Sequence, residues 1–186
     1  ILYALYEVPV NLEEPTFDVV NGKVSVTTDT SGTYAWTQTD GVWKSGNYNV
    51  NSSTSELSFN FTLTSAKEIS FDWTVSSESA NYDYVYYTIY KDGSTTAMSG
   101  TGTSTKIGGT SYGTTESSLT YNNVKKQLEA GTYKVTFTYR KDSSTHRGTD
   151  SAYVKNFEVV SNDYVTINYP TGCSNGYICS YSINNG

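Results

Sequence analysis

Hydrophobic and polar residues alternate strictly in three segments of the chain. Residues 57–63 read LSFNFTL, residues 69–75 read ISFDWTV, and residues 133–139 read YKVTFTY. Successive side chains of a β-strand point to opposite faces of its sheet, so each segment has one apolar face and one polar face. We therefore predict antiparallel strands that bury one face and expose the other.

Two pairs of turn residues predict β-hairpins near the beginning of the chain. Asn21 with Gly22, and Asp40 with Gly41, favour the tight turns that connect antiparallel strands. We expect each pair to join the strand before it to the strand after it. The predicted hairpin strands are residues 16–20 with 22–28, and residues 33–38 with 41–44.

The remainder of the chain predicts further strands with three irregular features. Residues 119–128 suit a strand or a short helix, and we favour the strand because the segment leads directly into the next one. Val154 and Phe157 are three positions apart, so we expect a β-bulge near residues 155–156. Residues 93–117 contain few apolar residues and predict a long loop with a short strand around residues 97–98. The other predicted strands are residues 83–91, 132–140, 152–160, 164–169 and 178–183.

About ten strands separated by turns predict an all-β fold. We expect a two-sheet antiparallel β-sandwich of jelly-roll type over residues 16–160, with short strand extensions at both ends. Burial of each large core side chain contributes about 1.5–3 kcal/mol, which is enough for a core without help from a metal. The predicted core residues are Leu57, Phe59, Phe61, Ile69, Phe71, Trp73, Val85, Tyr87, Ile89, Val135, Phe137 and Val154.

The composition mainly excludes certain partners and structures. The 186 residues carry a net charge of −6, and only 16% of them are charged. No cluster of Lys and Arg is present, so nucleic acid is not an expected partner. No run of about 18 apolar residues occurs, so we expect no membrane-spanning helix. The 18 tyrosines and the abundant Ser, Thr, Asn and Gly are typical of strands and turns.

Four sequence motifs occur in the central part of the chain. They are WxSG at 43–46, NSSTSELSF at 51–59, ISFDWTVSSE at 69–78, and LxAGTYKVTFxYxKD followed by GxDxAYV at 128–154. Together they resemble bacterial extracellular jelly-roll modules of the cleaved-adhesin and MAM-like kind. The resemblance covers residues 34–160. It implies a non-catalytic module of a large extracellular or cell-surface protein, acting in adhesion or as a stalk. Its partners would be a glycan, a host or cell-surface protein, or neighbouring modules of the same polypeptide. The alternative is a carbohydrate-binding module attached to a secreted glycoside hydrolase.

The two ends of the chain carry a second resemblance. The chain opens with ILYALYE, which is similar to a closing strand of the repeats of Gram-positive surface proteins. Residues 165–186 are similar to the opening strands of an Ig-like repeat. We expect residues 1–15 to form a strand and a linker, and residues 161–186 to form a hairpin. The N-terminal strand is expected to pair within the chain or, alternatively, between molecules.

The two cysteines lie close together in the sequence GCSNGYIC. The short separation of Cys173 and Cys179 fits a disulfide across a hairpin and an oxidising compartment, such as the cell exterior. A pair of free thiols is the alternative. Two cysteines do not supply a four-ligand zinc site.

The sequence lacks the residue patterns of common catalytic sites. Its one histidine, His146, lies in the polar segment SSTHRG and is expected to be an exposed loop residue. No HExxH, phosphate-binding loop or dinucleotide-binding motif occurs. Paired carboxylates can hydrolyse glycosides, but no predicted strand carries closely spaced inward Asp and Glu residues. We therefore expect no enzymatic activity.

Four acidic residues at the ends of predicted strands are candidate metal ligands. A jelly roll brings such strand ends together, and calcium prefers carboxylate and carbonyl oxygens. We favour the interpretation that these side chains cap turns through hydrogen bonds, and a structural calcium ion is the alternative. No cofactor is expected to be required. The four residues are Glu78, Asp83, Asp142 and Asp150.

Aromatic residues in or near the predicted loops suggest a carbohydrate-binding surface. Tyrosine and tryptophan rings have apolar faces and polar rims, which suit stacking against sugars. We favour the interpretation that the tyrosines cover a solvated sheet and bind nothing, and the carbohydrate-binding surface is the alternative. Trp73 alternates with core residues and is expected to be buried, whereas Trp36 and Trp43 are expected to be partly exposed. The candidate ligand-binding residues are Trp36, Trp43, Tyr82, Tyr84 and Tyr112.

Overall fold

The computed structural model describes residues 24–109 and 118–160 in full, together with the backbone of residues 16–20 and 164–168. Within these ranges the chain forms β-strands and the short 3₁₀ helix η1. No helix among the described residues is long and apolar enough to cross a membrane. The elements are β1 (Thr16–Val20), β2 (Val26–Asp29), β3 (Thr37–Thr39), β4 (Val42–Lys44), β5 (Thr54–Leu63), β6 (Lys67–Ser76), β7 (Tyr84–Lys91), η1 (Gly102–Thr105), β8 (Asn122–Leu128), β9 (Gly131–Arg140), β10 (Ser151–Val159) and β11 (Tyr164–Asn168).

The strands β2 to β10 form two antiparallel sheets. A five-stranded sheet has the order β3-β4-β10-β6-β8, and a four-stranded sheet has the order β2-β5-β9-β7. From β5 to β10, consecutive strands alternate between the two sheets, as they do in jelly rolls. The predicted two-sheet antiparallel β-sandwich is therefore confirmed.

The facing surfaces of the two sheets form an aromatic core. Phe71 and Phe137 meet edge to face with ring centroids 4.9 Å apart, and Trp73 meets Tyr87 in the same way at 5.3 Å. Such contacts stabilise the fold beyond the burial of apolar area. Every residue that the alternation predicts for the core is buried.

The β3–β4 hairpin and the strand β8 confirm two local predictions. Asp40 and Gly41 connect β3 to β4 with φ angles of +49° and +78°. Both angles lie in the left-handed region that a tight two-residue turn requires. Asn122–Leu128 pairs with β6 as a strand, so the helical alternative for this segment is wrong.

The predicted β-bulge is present in β10. Its register against β6 shifts between Lys155 and Glu158, where Asn156 has a φ angle of +53°. The extra residue turns Phe157 toward the core, where its ring stacks on Phe59 with centroids 4.0 Å apart. The bulge thus restores the apolar face that strict alternation would lose.

The predicted hairpin around Asn21 and Gly22 is wrong. β1 pairs with β11, and β2 pairs with β5. A turn pair sets only a local preference, whereas β2 gains a ten-residue partner strand in β5 whose inner face is apolar. β1 and β11 belong to one compact unit and residues 23–161 to another. The domain limits predicted at residues 15 and 160 stay predictions.

The segment after β7 differs from the predicted loop with a short strand. Residues 97–98 form no strand. The segment instead runs along the outer edge of β7, where Thr105 Oγ1 accepts a hydrogen bond from the Tyr87 N–H and Thr101 Oγ1 accepts one from the Ile89 N–H, both at 3.3 Å. These threonines satisfy edge groups that would otherwise attract another strand.

Several predicted features at the chain ends lie outside the described residues. They include the strand and linker at residues 1–15, the strand at residues 178–183, and the pairing of Cys173 with Cys179. These features stay predictions. The strand expected at residues 164–169 is confirmed as β11.

Candidate functional site

The outer face of the four-stranded sheet carries an open cleft, which we call the tyrosine cleft. It has a volume of about 630 Å³ and is lined by parts of β5, β7 and β9 and by the segments after β6 and β9. Because alternate side chains of these strands fill the core, the intervening side chains project from the sheet. Two rows of the register contribute to the cleft, Thr54–Arg140–Tyr84 and Glu56–Thr138–Tyr86.

Three tyrosines line one side of the tyrosine cleft. Tyr84 and Tyr86 project from the same face of β7, with ring centroids 6.0 Å apart and 35° between the ring planes. Tyr82 precedes the strand and is 53% exposed. Lys106 places its Nζ 5.2 Å from the centroid of the Tyr84 ring, and this cation–π contact helps to fix the ring. The cleft therefore presents aromatic surface in a defined position.

Glu56 and Arg140 bring opposite charges into the tyrosine cleft from neighbouring strands. Glu56 accepts a hydrogen bond from Thr138 Oγ1 at 3.3 Å. Arg140 is exposed and forms no ion pair with any residue that the structure describes. A guanidinium group has five N–H donors, so Arg140 has donors free for a ligand.

Tyr82 and Tyr84 are the two predicted ligand-binding residues that meet in the tyrosine cleft. The sequence prediction missed Tyr86, Glu56 and Arg140. Tyr86 shares the face of Tyr84 by simple alternation, so a signal for it was present. Glu56 and Arg140 belong to other strands, and only the register across the sheet places them beside the tyrosines.

Trp36 and Trp43 do not belong to the tyrosine cleft. Trp36 is only 2% exposed and joins the core, so the expectation that it is partly exposed is wrong. Burial of its large apolar surface stabilises the fold. Trp43 is partly buried against Phe59, at 6.4 Å between ring centroids, and lines a separate cleft of about 480 Å³ with Gln38. Tyr112 lies outside the described residues.

Three of the four predicted metal ligands lie together. Glu78, Asp83 and Asp142, which we call the acidic cluster, each offer a carboxylate oxygen, and these oxygens all lie within 4.8 Å of one another. The backbone N–H of Asp142 donates to Asp83 Oδ1 at 2.8 Å. Burial, and then the negative charges of Asp83 and Asp142, raise the pKa of Glu78 above its usual value. A calcium ion would relieve this repulsion, and its presence stays a prediction.

The turn-capping interpretation of these acids also has support. Asp142 Oδ1 accepts a hydrogen bond from the backbone N–H of Ser144 at 2.9 Å, as in an Asx turn. A carboxylate has enough lone pairs to accept an N–H and to bind a cation at the same time. The two roles of Asp142 are therefore compatible.

Asp150, the fourth predicted ligand, is separated from the acidic cluster by a buried lysine. Lys141 Nζ donates to Asp83 Oδ2 at 2.8 Å and to Asp150 Oδ1. The side chains of Lys141, Asp83 and Asp150 are 0%, 0% and 1% exposed. Burial of the two carboxylates is tolerated because the ammonium group offsets one charge and donates hydrogen bonds to both. The structure therefore does not bring Asp150 together with the other three acids.

Asp150 also holds the loop that contains His146. Its Oδ2 accepts the backbone N–H of Asn49 at 2.9 Å and lies 3.0 Å from His146 Nδ1. The hydroxyl of Tyr139 donates to Asp150 Oδ1 at 3.3 Å, and burial raises the pKa of Tyr139 far above its usual range. His146 is an exposed loop residue as expected, with 37% of its side chain exposed, and it also contacts Asp150.

Comparisons with known proteins identify no sequence family. No protein-family model and no curated protein matches the sequence. One similar solved structure is the carbohydrate-binding module TmCBM61 in complex with beta-1,4-galactotriose, at 12% identity and a TM-score of 0.39, covering 81% of this chain and 90% of that one. Another is the K1 cleaved adhesin domain of Lys-gingipain from Porphyromonas gingivalis W83, at 14% identity and a TM-score of 0.41, covering 81% of this chain and 99% of that one.

Proposed function

We propose that this chain is a non-catalytic adhesion module of a larger extracellular or cell-surface protein, and that it binds carbohydrate in the tyrosine cleft. The observation that carries the proposal is the convergence of Tyr82, Tyr84 and Tyr86 with Arg140 and Glu56 in one open cleft. Its volume of about 630 Å³ lies within the range of about 300–1,000 Å³ that ligand sites occupy.

Each kind of group in the tyrosine cleft suits one part of a sugar. The C–H faces of a sugar ring are apolar and pack against tyrosine rings, while its hydroxyl groups form hydrogen bonds with charged side chains. Arg140 only donates hydrogen bonds, whereas the carboxylate of Glu56 only accepts them. Together they bind sugar hydroxyl groups both as hydrogen-bond acceptors and as hydrogen-bond donors.

The tyrosine cleft is built on paired strands, so its geometry exists before a ligand binds. β9 is paired along its length with β5 on one side and with β7 on the other, in continuous register. Val85 and Tyr87, which alternate with Tyr84 and Tyr86, are buried in the core and anchor this part of β7. Little conformational entropy is therefore lost on binding, which favours affinity.

The proposal includes no catalytic step. Asp83 and Asp150 are engaged by Lys141, so these buried carboxylates are held in ion pairs. The groups that line the tyrosine cleft are suited to stacking and hydrogen bonding. Attachment to a secreted glycoside hydrolase would use the same binding and would differ only in the rest of the polypeptide.

A glycan array tests the proposed function. The unaltered chain is compared with Tyr86→Ala and Arg140→Gln, each of which removes one group from the tyrosine cleft, and with Tyr48→Ala as a matched control. Tyr48 is 55% exposed and lies outside the cleft. We expect binding to a defined glycan class that falls about tenfold or more in the cleft variants, equivalent to about 1.4 kcal/mol, and is unchanged in the control.

Two results of the array contradict the proposed function. If the unaltered chain binds no glycan, the role of a stalk unit remains. If Tyr86→Ala binds as well as the unaltered chain, the tyrosine cleft is not the site. Trp43→Ala then distinguishes the two clefts, because loss of binding in that variant alone locates the carbohydrate beside Trp43.

A further inference from the structure

A second cleft lies at the opposite end of the same sheet face. It has a volume of about 480 Å³ and is lined by Asn60, Lys134 and Tyr90, together with Thr95 and Thr132. The first three residues form one row of the register across β5, β9 and β7. We call this second cleft the distal cleft.

The distal cleft repeats the chemistry of the tyrosine cleft. In the tyrosine cleft, Tyr84 on β7 lies opposite Arg140 on β9, and in the distal cleft Tyr90 on β7 lies opposite Lys134 on β9. Both cations are exposed, and neither forms an ion pair within the part of the chain that the structure describes. An aromatic ring beside a hydrogen-bond-donating cation is therefore present at both ends of the face.

Short hydroxyl side chains occupy the middle of the face. Ser58, Thr136 and Thr88 form the row between the two clefts and are only 4%, 6% and 6% exposed. Ser58 Oγ lies 2.9 Å from Thr136 Oγ1, so these hydroxyl groups are hydrogen-bonded to each other. The longer side chains of Glu56 and Tyr86 flank this row on one side, and those of Lys134 and Tyr90 flank it on the other. The face is therefore lower in the middle than at its ends.

The separation of the two clefts sets the length of a ligand that reaches both. Tyr86 and Tyr90 are four residues apart on one strand, so their Cα atoms are about 13 Å apart. Arg140 and Lys134 are six residues apart on β9, which corresponds to about 20 Å. A single sugar ring cannot span either separation, whereas a linear chain of several linked sugars can.

We propose that the outer face of the four-stranded sheet is one continuous binding surface for a linear polysaccharide, with the distal cleft as its second subsite. This inference rests on the proposed function and adds the shape and minimum length of the ligand. One sugar packs against Tyr84 and Tyr86, and another packs against Tyr90. The part of the polysaccharide between them crosses the low row of hydroxyl groups.

An extended peptide suits this face less well than a polysaccharide. Peptides that bind by strand addition need a free sheet edge. β5 and β9 lie inside the sheet with a partner on each side. Backbone N–H groups on the outer edge of β7 already donate hydrogen bonds to the hydroxyl oxygens of Thr101 and Thr105. Along β5, β9 and β7 the face therefore offers a ligand its side chains and no free backbone.

Calorimetric titration with oligosaccharide ladders tests the continuous surface. The probes are cello-, xylo-, manno- and β-1,4-galacto-oligosaccharides, from the monosaccharide to the hexasaccharide. We expect affinity to rise with length and to level off once the ligand spans both clefts. Tyr90→Ala and, separately, Lys134→Gln are expected to weaken binding of the longest oligomer about tenfold and to leave the shortest bound oligomer unaffected. Melting curves check that both variants are folded.

Two further variants separate the possible failures. We expect Tyr86→Ala to weaken oligomers of every length and Tyr48→Ala to change nothing. An affinity that is independent of length, or unchanged affinity of both distal variants for the longest oligomer, overturns the continuous surface and leaves the tyrosine cleft intact. Absence of binding by the unaltered chain, or unchanged binding by Tyr86→Ala, overturns the proposed function and the continuous surface with it.

Discussion

Lys141 holds two carboxylates, Asp83 and Asp150, inside the protein, and none of the three side chains is more than 1% exposed. Replacement by methionine keeps much of the side-chain volume and removes the charge. The two buried carboxylates then lack compensation, so we expect Lys141→Met to lower the free energy of unfolding by about 3–5 kcal/mol. Urea unfolding measures the change, with Lys134→Met, at an exposed position of β9, as the control. Equal stability of the two variants would contradict the ion pairing of Lys141.

Removal of the charge of Glu78 is expected to stabilise the protein, in contrast to removal of the charge of Lys141, because the fold disfavours the ionised form of Glu78. Burial and the neighbours Asp83 and Asp142 raise its pKa, so the folded state binds a proton more tightly than the unfolded state. Its contribution to stability is therefore fully present below the ordinary value of 4.5 and is lost as the pH rises through the raised pKa. We expect Glu78→Gln to be more stable than the unaltered chain at neutral pH and equally stable in acid.

Melting temperatures across a pH series, in the presence of a chelator, measure this difference for Glu78→Gln. Glu129→Gln is the matched control, because Glu129 is exposed and lies outside the acidic cluster. A stability difference that is the same at every pH, or that is missing at neutral pH, would show that the charge of Glu78 is not disfavoured.

At the scale of elements, the edge of β7 depends on two threonine hydroxyl groups. Thr105 Oγ1 accepts the N–H of Tyr87 and in turn donates to the carbonyl of Gly102 at 2.8 Å. Thr105→Val keeps the shape and removes the acceptor, so we expect a loss of about 1–3 kcal/mol and faster aggregation through the uncovered edge. Thr103→Val, at an exposed position of the same helix, is the control. If Thr105→Val has the same free energy of unfolding and the same light scattering as Thr103→Val, then water replaces the missing hydroxyl group.

Strict alternation predicted the long strands of the sandwich because each of them has one buried face and one exposed face. The same alternation places Tyr84 and Tyr86 side by side, so one side of the tyrosine cleft follows from a single strand. Glu56 and Arg140 do not follow in this way. Their position beside the tyrosines depends on the register between strands, which no single segment encodes.

Two other features were not predicted from the sequence, because they produce no periodic pattern of polar and apolar residues. Lys141 follows β9 directly, and a lysine is rarely buried without a partner, so its burial depends on Asp83 and Asp150 from distant segments. The hydroxyl groups of Thr101 and Thr105 take the place of a neighbouring strand along β7. The alternation of polar and apolar residues gives no indication of this role. Such contacts are visible only once the sheets have assembled.

At the scale of the whole molecule, the acidic cluster joins two connections between the sheets. Glu78 and Asp83 lie between β6 and β7, and Asp142 follows β9. A ligand that binds only the folded state raises its stability with concentration. We therefore expect a higher melting temperature in millimolar calcium than in chelator. Asp142→Asn should lose this difference, and Asp40→Asn, in the β3–β4 turn, should keep it. Identical melting temperatures in calcium and chelator would leave these acids as turn caps.

The sandwich is expected to fold without the chain ends. Every core residue that the structure describes lies between Val24 and Val159. β1 and β11 form a two-stranded sheet of their own. We therefore expect residues 23–161 alone to unfold cooperatively within about 4 °C of the full chain, a shift that corresponds to about 1 kcal/mol. Residues 16–160, the limits predicted from the sequence, are the comparison. If residues 23–161 melt well below both the full chain and residues 16–160, then residues 16–22 contribute to the stability of the sandwich.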